Sequence, residues 1–441
     1  MSEPLAIAPA RRPVRPMRAD ILVTVAGKGV FVVLGALATV LVARHLGPTG
    51  QGVFAVSFNL TLILVQLGSS GLGVAVPMHI ARDSRLTSTI ITNSLLVALV
   101  CGVLLVGGAI LVKALAPGAL SGLTWLELSI TLAALPAALA VMFMQLVLQG
   151  QGRMVAFAAI DISQATITLV GLVAAIALFD AGVVGVLVVL TTTRYLLLPM
   201  ALLMLRREAL PLAPPARALL RQMLASGARV YAVGLVTFLL IRLDLLLVNS
   251  ILGQRQAGLY SLAGYLSEAL TIIPSVIAVN MVARLARGNE PGDSARAFRA
   301  TFVLYGGLCL LSLPAARFGL PLIYGRAYDP SVNLYYWLAP GIFFLGLLSV
   351  IGIHFSVHGY PPILIAAWIG GLAVDVGLNV VLLRPAGLFI ASLSSTVAYG
   401  LVLGAHLSRF ARDAGGWREL TPRISELSVL LRPGAVGERP T

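Results

Sequence analysis

The stretch LGPTGQGVFA at residues 46–55 is repeated as LGQRQAGLYS at residues 252–261, and this repetition decides the fold. The two segments align without gaps and match at two glycines and one aromatic position: Gly47 with Gly253, Gly52 with Gly258, and Phe54 with Tyr260. The chain contains two sets of six long apolar runs, and each copy lies between the first and second runs of its set. The sequence therefore predicts two parallel repeats related by an axis along the membrane normal.

The composition identifies the class of protein around these repeats. Hydrophobic residues make up 59% of the 441 residues and charged residues 11%, with a mean hydropathy of +0.96. A soluble domain carries about 25% charged residues. The apolar runs are continuous rather than alternating, which favours helices of about 20 residues over a transmembrane barrel. The sequence predicts an all-α polytopic membrane protein with about 12 transmembrane helices in two six-helix lobes.

The apolar runs define the predicted spans and domains. The spans are 21–43, 53–79, 86–112, 125–148, 154–179, 183–205, 224–250, 256–283, 298–324, 332–356, 363–383 and 387–408. The domains are an N-terminal arm (1–20), an N-lobe (21–205), a linker (206–223), a C-lobe (224–408) and a C-terminal tail (409–441). Within the second span, a group of glycines predicts either a bend or a close helix neighbour: Gly68, Gly71 and Gly73.

The distribution of basic residues predicts the orientation. The net charge is +14, and 21 of the 31 Lys and Arg residues fall at one end of the spans, against five at the other. Cytoplasmic loops carry the excess of positive charge, so both termini are predicted to be cytoplasmic. The end with five cations is called the predicted outer end. Its cations include Arg44, Lys113 and Arg255. The basic balance thus reflects topology and attraction to anionic lipid headgroups, and we expect no nucleic-acid partner.

Catalytic motifs are sparse. The two lysines, Lys28 and Lys113, do not follow the glycine spacing of a phosphate-binding loop, so no ATPase is predicted. His354 and His358 share a helical face without an acidic or Cys partner, so no metal site is predicted. The sequence therefore favours a transporter without cofactors over an enzyme.

Charged residues inside the spans are the candidate functional residues, because each is costly in hydrocarbon unless it faces a cavity or a partner. The cations are Lys28, Arg194, Arg229 and Arg242, and the acids are Asp161, Asp244, Glu268 and Asp375. One hypothesis places the cations in a hydrophilic cavity that holds an anionic substrate, with the acids balancing charge or carrying protons. The alternative is a set of structural ion pairs between helices, with charges near the span ends reaching the membrane interface. Arg242 and Asp244 are two residues apart on one helix and cannot pair with each other.

Several segments resemble the oligosaccharide flippases of bacterial polysaccharide biosynthesis, which belong to the multidrug/oligosaccharidyl-lipid/polysaccharide exporter superfamily. ARHLGPTGQGVFAVSFNLTLILVQLGSSGLGVAVPMHIAR at 43–82 resembles the region around their first two helices, and RLDLLLVNSILGQRQAGLYSLAGYLSEALTIIPSVIAVNMVARLAR at 242–287 resembles helices 7 and 8. The segments 323–347 and 358–400 are similar to a short outer loop and to the last helical hairpin.

The resemblance implies a V-shaped, MATE-like transporter in the bacterial inner membrane, with a central cationic cavity. Its cargo would be an undecaprenyl-pyrophosphate-linked oligosaccharide, moved from the cytoplasmic to the outer leaflet by alternating access. A H+ or Na+ gradient is a compatible energy source, and polysaccharide polymerases and glycosyltransferases are compatible partners. The absence of an acid in 21–43 departs from the drug exporters and favours an anionic cargo.

Two alternatives remain open at this point. The first is a cation-coupled small-molecule or multidrug exporter. The second is a membrane glycosyltransferase or polymerase, which would need acids at the outer face, where the sequence places Glu127, Asp180 and Asp329.

Overall fold

A computed structural model describes residues 17–209, 212–285, 293–358 and 360–421. These residues form fourteen α-helices and no strand. The helices are α1 Met17–Gly68, α2 Leu72–Arg82, α3 Thr87–Leu115, α4 Trp125–Ala133, α5 Leu135–Gly150, α6 Met154–Phe179, α7 Val183–Met204, α8 Arg206–Ala209, α9 Arg217–Leu252, α10 Gln254–Leu285, α11 Asp293–Tyr324, α12 Asp329–His358, α13 Pro362–Ala386 and α14 Phe389–Asp413.

The long helices account for the predicted spans. Ten apolar segments among the described residues are long enough to cross a membrane. The first, Gly27–Gly68, contains two spans because the backbone leaves the helical region at Gly47, with φ 66° and ψ −174°, just before Pro48. The predicted span 256–283 lies on α10, whose last residues are only partly described. The all-α polytopic fold with about twelve spans is thus confirmed.

The glycine group of the second span produces both a bend and a close approach. Gly71 adopts a left-handed conformation with φ 85° and separates α1 from α2. A Cβ at Gly71 would lie 3.1 Å from the carbonyl carbon of Gly227 on α9, so a larger side chain would push these helices apart. A Cβ at Gly68 would meet the Leu139 side chain at 2.8 Å, whereas one at Gly73 would meet nothing within 4 Å.

The ends of the lobes differ in detail from the predicted boundaries. Helix α9 begins at Arg217, inside the predicted linker 206–223, and α14 continues to Asp413, past the predicted end at 408. The start of the predicted tail folds back onto the C-lobe, because Leu420 is buried and Arg299 donates a hydrogen bond to the carbonyl of Glu419. Residues 1–16 of the arm and 422–441 of the tail lie outside the described residues.

The repeated glycines form the crossing point of the two lobes. A Cβ at Gly52 would overlap the carbonyl oxygen of Gln254, and a Cβ at Gly258 would overlap the carbonyl oxygen of Pro48. Each glycine therefore contacts the carbonyl of the residue four positions before the other glycine. This reciprocal contact is what a two-fold axis between parallel repeats produces, and it brings α1 and α10 together at backbone distance.

Hydrogen bonds between the lobes surround this crossing at the predicted outer end. The guanidinium of Arg44 donates 2.7 Å bonds to the carbonyls of Leu322 and Ile323, at the C-terminal end of α11. The hydroxyl of Tyr328 donates to the carbonyl of Ala43, at 2.9 Å. The Gln254 amide donates to the carbonyl of Gly122, at 2.5 Å. These bonds hold the two lobes together at the predicted outer end.

Candidate functional site

A central cavity of about 940 Å³ lies between the lobes. Its lining comes from spanning helices of both repeats: α1, α4, α6 and α7 from the first, and α9 to α14 from the second. The lining is mostly apolar, with hydroxyl and amide side chains interspersed: Thr39, Ser57, Asn59, Thr61, Gln164, Thr168, Thr191 and Ser349. A pocket of this size and mixed polarity is typical of a ligand-binding site.

Four of the predicted site residues line this cavity: Arg194, Arg242, Asp244 and Glu268. Arg242 on α9 and Glu268 on α10 form an ion pair, with Nη1 and Oε1 2.5 Å apart. The Arg242 guanidinium also lies 5.8 Å from the centre of the Phe238 ring, within the range of a cation–π contact. Arg242 therefore fits parts of both hypotheses, because it lines the cavity and also forms an ion pair between helices.

Asp244 is 4% exposed and belongs to a hydrogen-bond network of the C-lobe. Its carboxylate accepts hydrogen bonds from the hydroxyls of Tyr260 and Ser395, and from the backbone N–H of Leu245. The repeat alignment places Ala38 opposite Asp244 and Phe54 opposite Tyr260, and Ala38 and Phe54 pack together in an apolar cluster of the N-lobe. The same position in the two repeats is thus apolar in one lobe and a buried acid in the other.

Asp375 lies deeper in the C-lobe, outside the cavity lining. It and Asn379, one turn later on α13, are completely buried. The Asn379 amide donates to Asp375 Oδ1 and to the hydroxyl of Ser394, at 3.2 and 2.8 Å. In the described part of the chain, Asp375 Oδ2 and Asn379 Oδ1 have no hydrogen-bond partner. The negative charge of Asp244 acts on Asp375.

The N-lobe carries a separate group of charges. Arg194 on α7 donates to the amide oxygen of Gln164 on α6 and forms no ion pair among the described residues. Asp161 lies outside the lining and accepts a 2.7 Å hydrogen bond from Gln145. Lys28 is exposed on α1 and is not part of the lining, although its charge, like that of Arg194, acts on Asp161. The side chain of Arg229 lies outside the described residues.

The neutral side chains that bond to these charged residues were not predicted from the sequence. Two of them, however, lie at helical spacing from a charged residue. Gln164 follows Asp161 by three residues and Asn379 follows Asp375 by four, which places each pair on one helical face. Tyr260 was marked only as the aromatic position of the repeat. Ser395 carried no signal, because serine is common in tightly packed spanning helices.

The three acids predicted near the outer face lie at helix ends. Glu127 and Thr124 cap α4 reciprocally, with bonds of 2.7 and 3.2 Å between side chain and backbone. Asp180 follows α6 and pairs with His45 at 3.5 Å, and Asp329 begins α12. These positions give Glu127 and Asp180 structural partners.

The chain is similar to proteins of known family and structure. Residues 17–283 match the family model described as "Polysaccharide biosynthesis protein". No curated protein sequence matches. Among solved structures, "Lipid II flippase MurJ, inward closed conformation" is 11% identical, with a TM-score of 0.66 over 92% of this chain and 89% of that one.

Two multidrug transporter structures are also similar. An inward-facing MATE family transporter of the MOP superfamily is 14% identical, with a TM-score of 0.63 over 90% of this chain and 98% of that one. The MATE multidrug transporter DinF-BH is 15% identical, with a TM-score of 0.62 over 93% of this chain and 98% of that one. At these identities the likeness concerns the fold, and the family model covers more than half of the chain. The chain therefore belongs to the polysaccharide biosynthesis protein family and has the fold of MurJ and the MATE transporters.

Proposed function

We propose that this protein moves an undecaprenyl-pyrophosphate-linked oligosaccharide from the cytoplasmic to the outer leaflet of the bacterial inner membrane by alternating access. The observation that carries the proposal is Arg194, which lines a central cavity between two lobes and forms no ion pair within the described ranges. A pyrophosphate that crosses the hydrocarbon region needs compensating positive charge, and a guanidinium supplies it with bidentate hydrogen bonds.

The remainder of the cavity suits the headgroup of such a lipid. Hydroxyl and amide side chains of the lining provide hydrogen-bond partners for sugar hydroxyls. A volume of about 940 Å³ accommodates a headgroup and leaves the polyprenyl chain in the surrounding lipid. The bonds between the lobes at the predicted outer end correspond to a conformation that receives cargo from the cytoplasmic side.

We also propose that a H+ or Na+ gradient drives transport through the acids of the C-lobe. Asp375 Oδ2 and Asn379 Oδ1, which have no partner in the part of the chain that is described, are oxygen acceptors in a dry interior next to Asp244. A proton or a hard cation would satisfy these oxygens and neutralise part of the charge. Because Asp244 lines the cavity and its charge acts on Asp375, occupancy by the cation would act on the cargo site.

The test is Arg194→Gln in a deletion strain, with Arg317→Gln as the matched control. Arg317 lies in a span but is exposed and is not part of the cavity lining. We expect the R194Q strain to accumulate complete lipid-linked oligosaccharide on the cytoplasmic leaflet, whereas R317Q restores the normal distribution. Asp375→Asn, assayed with and without a Na+ gradient, tests the coupling. Normal flipping by R194Q protein at normal abundance would refute the role of the cavity cation.

A small-molecule exporter is the second candidate, because the described charged lining is balanced. Asp244 and Glu268 oppose Arg194 and Arg242, so the wall offers acids as well as cations. This function predicts altered drug susceptibility of the deletion strain and normal lipid-linked sugar pools. The flippase function predicts the opposite pattern.

A further inference from the structure

A second cavity, of about 350 Å³, lies at the predicted cytoplasmic end of the N-lobe. It is lined by Arg153, Leu203, Met204, Arg206, Arg207 and Glu208, where α7 ends and α8 begins. Three arginines and one glutamate give this basic pocket an excess of two positive charges. None of the proposed steps of cargo transport uses these residues.

Arg153 is held in place at the wall of the basic pocket. Its Nη2 donates a 2.8 Å hydrogen bond to the carbonyl of Met204, and its Nη1 donates to the Gln151 side chain at 3.3 Å. Glu208 lies 3.8 Å from the same Nη1, with about a quarter of its side chain exposed. The single acid of the pocket is therefore engaged with Arg153 and does not neutralise the remaining two arginines.

Arg206 and Arg207 are the arginines that are open to a ligand. Both are exposed, and within the described ranges neither side chain has a hydrogen bond or ion pair. Each guanidinium presents five N–H donors in a fixed planar geometry, which matches the oxygens of a phosphate. An anion with phosphate oxygens is thus the complementary ligand.

The apolar part of the basic pocket indicates that this anion belongs to a lipid. Leu203 lines the pocket, is 66% exposed, and stands at the end of the spanning helix α7. An exposed leucine at a helix end, followed closely by two arginines, marks the level at which acyl chains meet headgroups. We infer that the basic pocket binds the phosphate headgroup of an anionic phospholipid of the cytoplasmic leaflet, independently of the transported cargo.

The test compares short-chain phosphatidylglycerol with phosphatidylcholine of the same chain length, each titrated into the purified full-length protein. The wild-type protein is expected to prefer phosphatidylglycerol. The double variant Arg206→Gln/Arg207→Gln is expected to lose about 30-fold in this preference, since each arginine near a membrane surface contributes about 1 kcal/mol. The matched control is Arg217→Gln/Arg221→Gln, which removes the same charge from the same end of the protein but outside the pocket. We expect the control to keep the preference.

Two further measurements decide what is bound. Arg206→Lys/Arg207→Lys retains the charge and is expected to restore most of the preference, which separates binding from misfolding. Inorganic phosphate is expected to compete only weakly, because it lacks the acyl chains that contact Leu203. Equal affinity for the two lipids, an unchanged preference in the R206Q/R207Q variant, an equal loss in the R217Q/R221Q control, or competition by phosphate as strong as by the lipid would each overturn the inference.

Discussion

The crossing of the two lobes makes a quantitative prediction, because a methyl group has no room there. In the Gly258→Ala variant, the new Cβ would overlap the carbonyl oxygen of Pro48 and lie 2.9 Å from the backbone nitrogen of Gly52. Both neighbours are backbone atoms and cannot rotate away. Ordinary contacts of a carbon atom with a backbone oxygen or nitrogen are ~3.5 Å, so α1 and α10 must separate by roughly 1.5 Å.

This separation sets the size of the effect. Overpacking of a close contact costs about 1–3 kcal/mol. The cost applies only while the outer ends of the lobes are together, so the population with an open outer end should rise about 5- to 150-fold. Because the contact is reciprocal, Gly52→Ala should have a similar effect. The free-energy cost in the Gly52→Ala/Gly258→Ala double variant should be smaller than the sum of the two single costs, because the first methyl group already separates the helices.

The assay is labelling of a cysteine in the cavity from the outer side of spheroplasts. A T61C substitution, in a background without Cys101 and Cys309, places the thiol in the lining. We expect a membrane-impermeant maleimide to label the G258A variant faster than its parent. Gly234→Ala is the matched control, because its Cβ would meet nothing within 4 Å and it shares the gain in helix propensity. Equal labelling of the G258A and G234A proteins would refute the assignment of this crossing as the outer closure.

Four other variants test further contacts of the structure. Arg44→Gln removes two exposed bonds to helix-end carbonyls and should raise outer labelling by a smaller factor, about 2- to 5-fold, with little effect in high salt. Asn93→Ala removes both hydrogen bonds that the Asn93 side chain makes with the backbone of Ala216 in the linker. The free energy of unfolding should fall by about 1–3 kcal/mol, which thermal melting of the purified protein measures. An unchanged melting temperature would mean that other contacts hold the linker. Arg242→Gln and Glu268→Gln should reduce flipping together by less than the product of their separate effects, and strictly multiplicative losses would show that the two residues do not act as a pair.

The sequence was sufficient to predict the class of fold and its internal symmetry. Hydropathy over about 20 residues is a local property, and a spanning helix requires it because hydrocarbon offers no hydrogen-bond partners to an exposed backbone. The repeat of 46–55 at 252–261 also identified Gly52 and Gly258 in advance. Glycine is needed at both positions because the two helix backbones meet there without room for a Cβ atom.

The cavity was only partly predictable. A charge in a span is expected to face a cavity or a partner, and eight such residues were identified from the sequence. The sequence positions of these residues do not show which side of each helix faces the other lobe. Lys28 is exposed outside the lining, Asp375 is buried beside Asn379, and Arg194 reaches the cavity.

The sequence by itself thus determined the spanning helices, the two repeats and which charged residues lie within the spans. The tertiary structure alone decided which charges line the cavity and which neutral side chains accompany them. Insertion into a membrane depends on summed hydropathy, which each segment carries alone. Pairing depends on how helices distant in sequence are rotated against each other, as with Arg242 and Glu268, or Asp244 and Ser395.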